Sequence, residues 1–100
     1  MPEKPEKIEI ENINVPGRTE RVDRTKYMAM CTALIAALPD KAPGLTVAQA
    51  QDALMPFLSE TDFPERHKAG WWMKAVQLDL EAKGVIKRAP KRPVQLYRLT

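Results

Sequence analysis

Cysteine and histidine are almost missing from this chain of 100 residues, which has one of each. A single cysteine, Cys31, leaves no partner for an intrachain disulfide, and this favours a reducing cytoplasm. Zinc sites generally use three or four Cys, His or carboxylate ligands, and Cys31 and His67 fall on different predicted elements. Because Cys31 also falls within an apolar helical stripe, neither a metal site nor a Cys–His nucleophile is expected.

Glycine and long apolar runs are also scarce. The four glycines are scattered, so they form no phosphate-binding loop. No apolar stretch approaches the roughly 20 residues that span a bilayer, and residues 1–11 alternate Lys and Glu around prolines instead of forming a secretory signal. Asp79 and Glu81 lie about 200° apart around a helix, so they do not pair as catalytic carboxylates. These absences favour a cytoplasmic, non-enzymatic protein with no metal, no cofactor and no membrane crossing.

Apolar residues make up 44% of the chain, enough for the core of one domain. The net charge of +3 is unevenly distributed. The first half is neutral, whereas no acid follows Glu81. Six cations follow it instead: Lys83, Lys87, Arg88, Lys91, Arg92 and Arg98. A basic end beside a neutral body indicates an anionic partner, or otherwise a solvated surface.

Two helices are predicted in the first 58 residues. Asp23 or Thr25 can cap the first helix, which Pro39 ends. Thr46 and Gln49 have the spacing of a capping box for the second helix, and Pro56 ends or kinks that helix near Met55. The apolar stripe of the first helix contains Tyr27, Met30, Cys31, Leu34, Ile35 and Leu38. That of the second contains Val47, Ala50, Leu54, Phe57 and Leu58.

The third helix is predicted from Ala69 to Lys83, with Gly84 at its left-handed C-terminal cap. It carries two apolar stripes. The first contains Ala69, Trp72, Met73, Val76 and Leu80, and the second contains Trp71, Ala75, Leu78 and Ala82. We therefore expect this helix to lie between the first helix and another body, either the N-terminal arm or a second copy of the protein.

The remaining segments are predicted to be extended. Ile8 and Ile10 alternate with acids as in a short strand, which makes residues 1–22 an arm that packs on the body or pairs with its sheet. Residues 85–88 and 94–99 form a β-hairpin around a proline-rich loop. The sequence thus predicts a mainly α, α+β domain over residues 23–100, with three helices, a C-terminal hairpin and an extended N-terminal arm.

Three helices followed by a hairpin is the order of the winged-helix fold. The junction LEAKGVIKR, residues 80–88, resembles the end of the third helix and the start of the first wing strand in winged-helix proteins. The chain also resembles an uncharacterised bacterial family defined only as a domain of unknown function. NVPGRTERVD (14–23) and AGWWMKAVQLDLEAKG (69–84) carry that resemblance. It implies a winged-helix-like fold and brings no activity.

The leading functional hypothesis is a winged helix that binds duplex DNA. In that fold the start of the third helix can enter the major groove while the hairpin touches the backbone. Lys and Arg bind phosphates, and Gln77 would read a base edge if it is exposed. The candidate contacts are Arg66, His67, Lys68, Lys74, Gln77, Lys87, Arg88, Lys91 and Arg92.

The alternative hypothesis is a protein-interaction or homodimerisation module without nucleic-acid binding. Trp71 and Leu78 on the second stripe would be its partner-binding residues, unless the arm buries Trp71. The ten residues from Ser59 to Lys68 favour this alternative, because the turn before a recognition helix is about 3–4 residues long.

Overall fold

The computed structural model describes residues 7–64, 66–89 and 93–99, and the backbone alone of Arg66. The chain forms an α+β fold of three helices and two small antiparallel sheets. In chain order the elements are β1 (Lys7–Glu11), β2 (Thr19–Asp23), α1 (Arg24–Ala37), β3 (Leu45–Thr46), α2 (Val47–Leu54), α3 (Ala69–Ala82), β4 (Ile86–Arg88) and β5 (Gln95–Arg98). Short 3₁₀ turns cover Met55–Phe57 and Arg66–Lys68. Among the described residues, no helix combines the length and apolar content needed to cross a bilayer.

Local capping sets the starts of α1 and α2 as predicted. The Asp23 carboxylate accepts from the Lys26 amide at 3.1 Å. Thr46 and Gln49 form the capping box, in which each backbone amide donates to the other residue's side chain. Met55–Phe57 tightens into the 3₁₀ turn where Pro56 interrupts the second helix.

The N-terminal segment is a hairpin, which corrects the expectation of an extended arm with a single strand. β1 pairs with β2 through residues 7–11 and 19–23, with Ile10 opposite Glu20 and Ile8 opposite Val22. Ile10 and Val22 are buried in the common core, so the hairpin packs on the helices through its apolar face. The hairpin at the C-terminus is therefore one of two.

The second sheet contains a strand, β3, that no pattern in the sequence predicted. Its order is β3-β5-β4, so β5 is central and Leu96 has neighbours on both sides. Gly44 makes this pairing possible, because a Cβ at position 44 would lie 1.8 Å from the Leu96 carbonyl oxygen. The hairpin of β4 and β5 confirms the extended segments predicted at 85–88 and 94–99.

The core lies where α1, α2 and α3 meet the two sheets. Met30 and Leu34 of α1, Leu54 of α2 and Met73 and Val76 of α3 are all buried. Tyr27 and Leu38 of the predicted α1 stripe are buried too, whereas Cys31 and Ile35 are only partly covered.

The exposure of the two phenylalanines is the opposite of what the neighbouring sequence suggests. Phe63, in the polar connection before α3, is fully buried, and its ring meets that of Trp72 edge-on at 6.0 Å. Phe57, placed by periodicity on the apolar face of the second helix, is 55% exposed because the 3₁₀ turn rotates it outward. The connection before α3 is therefore anchored by one aromatic side chain.

This difference predicts unequal effects of the same substitution. Phe63→Ala should lower the free energy of unfolding by about 3–5 kcal/mol, because it leaves a cavity against Trp72. Phe57→Ala, the matched control, should change it by no more than about 0.5 kcal/mol. Urea denaturation followed by circular dichroism measures both, and equal effects would contradict the burial of Phe63.

Candidate functional site

One exposed face remains on α3 after the core has formed. Trp71 is 56% exposed, although its neighbour Trp72 is only 8% exposed. The two indoles meet edge-on with ring centroids 5.2 Å apart, so the buried Trp72 supports the exposed Trp71. The sequence left open whether the N-terminal segment buries Trp71; that segment lies beside the indole and leaves much of it uncovered.

A cleft of about 340 Å³ runs between this face of α3 and the N-terminal hairpin. Its helix wall carries Trp71, Lys74, Ala75 and Leu78. Its strand wall comes from β1, β2 and the turn that joins them: Ile10, Glu11, Asn12, Val15, Arg18, Thr19 and Glu20. Leu78, predicted as a partner-binding residue, is 9% exposed and lies low in this cleft. The second apolar stripe of α3 therefore faces the hairpin, with Trp71 at its exposed end.

The two walls also place in one cleft charged residues that are far apart along the chain. Arg18 lies on the strand wall and Lys74 on the helix wall, and both are exposed. Neither cation forms an ion pair with another residue in the described part of the chain. Glu11 and Glu20, also on the strand wall, place acidic groups on that side. Sequence reasoning missed Arg18 because Thr19–Asp23 was not recognised as a strand, although Val22 between charged residues is its signal.

A buried carboxylate holds the hairpin against α3. Asp79 is fully buried and accepts hydrogen bonds from the Tyr27 hydroxyl of α1 and, at 2.9 Å, from the backbone amide of Glu11. The Lys83 ammonium lies 2.8 Å from the same carboxylate and 5.8 Å from the centre of the Tyr27 ring. Such a charge is tolerated in a core because each lone pair finds a donor. Asp79 thereby joins β1, α1 and α3 behind the cleft.

The same surroundings keep two acidic side chains protonated. Burial raises the pKa of the Tyr27 hydroxyl far above its ordinary value, and the hydrogen bond to Asp79 raises it further. Burial and the nearby Asp79 charge also raise the pKa of the Cys31 thiol. Thiolate is the nucleophilic form of cysteine, so this environment disfavours reactivity at Cys31.

Two residues predicted to contact DNA serve inside the fold instead. Gln77 is fully buried, so the exposure required for reading a base edge is absent. Its amide nitrogen donates to Glu81 at 3.1 Å, and its oxygen has no partner among the described residues. Arg88 donates through Nε and Nη2 to the carboxylate of Glu81, which is buried. The Arg88 guanidinium, which was expected to contact phosphate, is therefore paired with Glu81, and this ion pair joins β4 to α3.

The remaining residues predicted to contact DNA divide between two surfaces. His67 and Lys68 are exposed just before α3, and Lys74 is exposed within it. Lys87 instead lines a second, open cleft with Ile13, Asn14, Glu81, Gly84, Ile86, Arg88 and Leu99, and the two clefts share no lining residue. The side chain of Arg66, together with Lys91 and Arg92, lies outside the described residues.

The family comparison agrees with the extent of this structure. Residues 7–96 match a family of unknown function, DUF6958, and the chain belongs to that family. The match includes the N-terminal hairpin, α1, α2, α3 and the C-terminal hairpin as far as Leu96 in β5, so the cleft lies entirely within the family's domain. No curated protein and no solved structure matches the chain.

The hydrogen bonds and the ion pair of Asp79 predict that replacing this residue will loosen β1 locally as well as lower the stability of the fold. Asp79→Asn should lower the free energy of unfolding by about 1–3 kcal/mol, because an amide cannot accept from all three donors. Amide hydrogen exchange should become faster in β1, starting at Glu11. Asp52→Asn, which changes an exposed acid on α2, is the control. Unchanged exchange at Glu11 in Asp79→Asn would show that the carboxylate does not hold the hairpin.

Tyr27 makes stability fall at high pH. The unfolded chain ionises this phenol near pH 10, whereas the folded chain keeps it neutral well above that. Its contribution is therefore complete below pH 10 and falls by about 1.4 kcal/mol per pH unit above it. Cys31→Ala removes the thiol, whose raised pKa would add a slope in the same pH range. In that background, urea titrations between pH 8 and 11 should show the slope from Tyr27, and adding Tyr27→Phe should remove it. Tyr97→Phe, on β5, should retain the slope, and a similar loss there would refute the assignment to Tyr27.

Proposed function

We propose that this protein is a non-enzymatic protein-interaction module that holds a short segment of a partner against Trp71. The observation that carries the proposal is an indole 56% exposed at the mouth of a cleft with an apolar helix wall. Tryptophan is enriched among the residues that dominate binding energies, and it acts best where neighbouring groups exclude water. Ala75 and Leu78 supply apolar surface beside it.

The order of the helices and strands supports a winged-helix interpretation of the fold. The order α1, β3, α2, α3, β4, β5, with β5 central in its sheet, places a hairpin directly after the third helix. Winged helices serve protein contacts as well as nucleic acids, because a fold alone does not determine function. The choice between partners therefore depends on the surface of α3.

Duplex DNA is the second candidate, and exposed cations favour it. Lys68 and Lys74 at the start of α3 and Lys87 on β4 could contact phosphates. Three features weaken this candidate. Gln77 is buried, Arg88 is paired with Glu81, and the hairpin stands beside the face that would enter a groove.

The proposal includes a reducing cytoplasm and no catalysis. Cys31 is a free, partly covered cysteine whose raised pKa favours the inert thiol. A free thiol persists most readily where the compartment is reducing.

Trp71→Ala tests the proposed function. The partner is first isolated by its binding to the full chain and is then purified. Calorimetric titration should show that it binds the Trp71→Ala variant about thirtyfold more weakly in Kd than the wild type, a loss of about 2 kcal/mol or more of binding energy. Phe57→Ala is the matched control, because Phe57 is equally exposed on another element. Circular dichroism should confirm that both variants fold.

Two further measurements separate the competing functions. Light scattering of the wild-type chain should give a monomer. A dimer that Trp71→Ala dissociates would make a second copy the partner. A gel shift with duplex DNA at low salt should show no binding, and binding abolished by Lys68→Ala with Lys74→Ala would overturn the proposal in favour of DNA.

A further inference from the structure

We infer that the segment held in the cleft is acidic as well as apolar, and that its carboxylates meet Lys74 and Arg18. This inference rests on the proposed function and adds the chemistry of the partner. It follows from two observations: the acids of α3 are neutralised inside the fold, and the cations Arg18 and Lys74 lie at different places in the cleft lining from the acids Glu11 and Glu20.

The helix wall carries positive charge only. Both acids of α3, Asp79 and Glu81, are buried and are paired with Lys83 and Arg88. Lys74 is therefore the one charge that α3 contributes to the cleft lining. It lies one helical turn after Trp71, so a carboxylate near Lys74 would be close to an apolar side chain packed on the indole.

The strand wall defines where the carboxylates can lie. Glu20 is opposite Ile10 in the hairpin register, and Glu11 ends β1, so the paired strands carry the acidic groups of the lining. Arg18 precedes β2 in the connecting turn, beside Val15. An acidic segment would be repelled along the strands and attracted toward the turn and the helix. The charges thus fix how the segment lies, in addition to its composition.

The size of the cleft limits the segment to a few residues. At about 340 Å³ it is at the small end of the pockets that enclose compact ligands. One large apolar side chain on Trp71, with Asp or Glu within one or two residues of it, would satisfy both the apolar surface and the two free cations. A short acidic peptide motif of this kind is the proposed ligand.

A random twelve-residue peptide library displayed on phage tests the inference against the immobilised full chain. The wild type should enrich peptides with a large apolar residue flanked by Asp or Glu. Lys74→Glu combined with Arg18→Glu should lose the acidic preference and select Lys or Arg instead. Lys41→Glu, which reverses an exposed cation between α1 and β3, should select the same peptides as the wild type.

Affinities of one enriched peptide, labelled for fluorescence polarisation, give the size of the effect. Each single reversal, Lys74→Glu or Arg18→Glu, should weaken binding by about fivefold, as expected for an exposed ion pair. Raising the salt concentration should weaken wild-type binding in the same direction. Should a reversal variant fail to fold by circular dichroism, Lys74→Gln and Arg18→Gln replace it, with a smaller expected loss.

The possible results separate this inference from the proposed function. Enriched peptides that are apolar without acids, and that bind in a Trp71-dependent way, would overturn the acidic preference and leave the interaction module intact. Peptides that bind equally well to Trp71→Ala, or no enrichment at all, would overturn both. An acidic consensus that Lys74→Glu and Arg18→Glu leave unchanged would place the carboxylates elsewhere and overturn the assignment to these cations.

Discussion

A buried negative charge organises the part of this molecule that contains the cleft. The Asp79 carboxylate is removed from water, and an ionised group in that position must recover its lost hydration from protein donors. Its donors come from three places in the fold: the Tyr27 hydroxyl on α1, the Glu11 amide on β1 and the Lys83 ammonium just after α3. The position of the N-terminal hairpin, and with it one whole wall of the cleft, depends on this arrangement.

A second buried acid, Glu81, holds the C-terminal sheet against α3, as Asp79 holds the N-terminal hairpin. Glu81 receives the Arg88 guanidinium from β4 and the Gln77 amide from its own helix. Asp79 and Glu81 carry charges that usually stay in contact with water, and both are thus fixed inside the fold. With them neutralised, the visible face of α3 is an indole, small apolar side chains and a lysine.

Local patterns in the sequence were sufficient for the helices. Asp23, the pair Thr46 and Gln49, and Gly84 act over a few residues, so capping rules place the ends of the helices closely. Spacing along the second stripe of α3 correctly indicated a further body beside that helix. Of the two bodies expected there, the N-terminal segment and a second copy, the N-terminal segment packs on α3 through β1.

Long-range contacts account for what the sequence did not reveal. The pairing of β3 with β5 joins Leu45 to Leu96, and no local pattern distinguishes a strand of two residues from a loop. Glu81 accepts from Gln77 within α3 and from Arg88 on β4, a contact that forms only in the folded chain. One wall of the cleft includes β2, whose only sequence signal is Val22. Trp71 was recognised as a candidate anchor, whereas Arg18 entered the site only through the folded geometry.

The hydrogen bonds of Asp79 also constrain the order in which the chain can fold. Glu11 and Tyr27 are separated from Asp79 by 68 and 52 residues, so both bonds require most of the polypeptide to be already gathered. The β1–β2 turn, by contrast, closes over a few residues. Contacts of long sequence separation form slowly, and a hairpin made early would therefore wait for α3 before it docks. On a growing nascent chain, the cleft would not be completed before α3 has been synthesised and has packed against the hairpin.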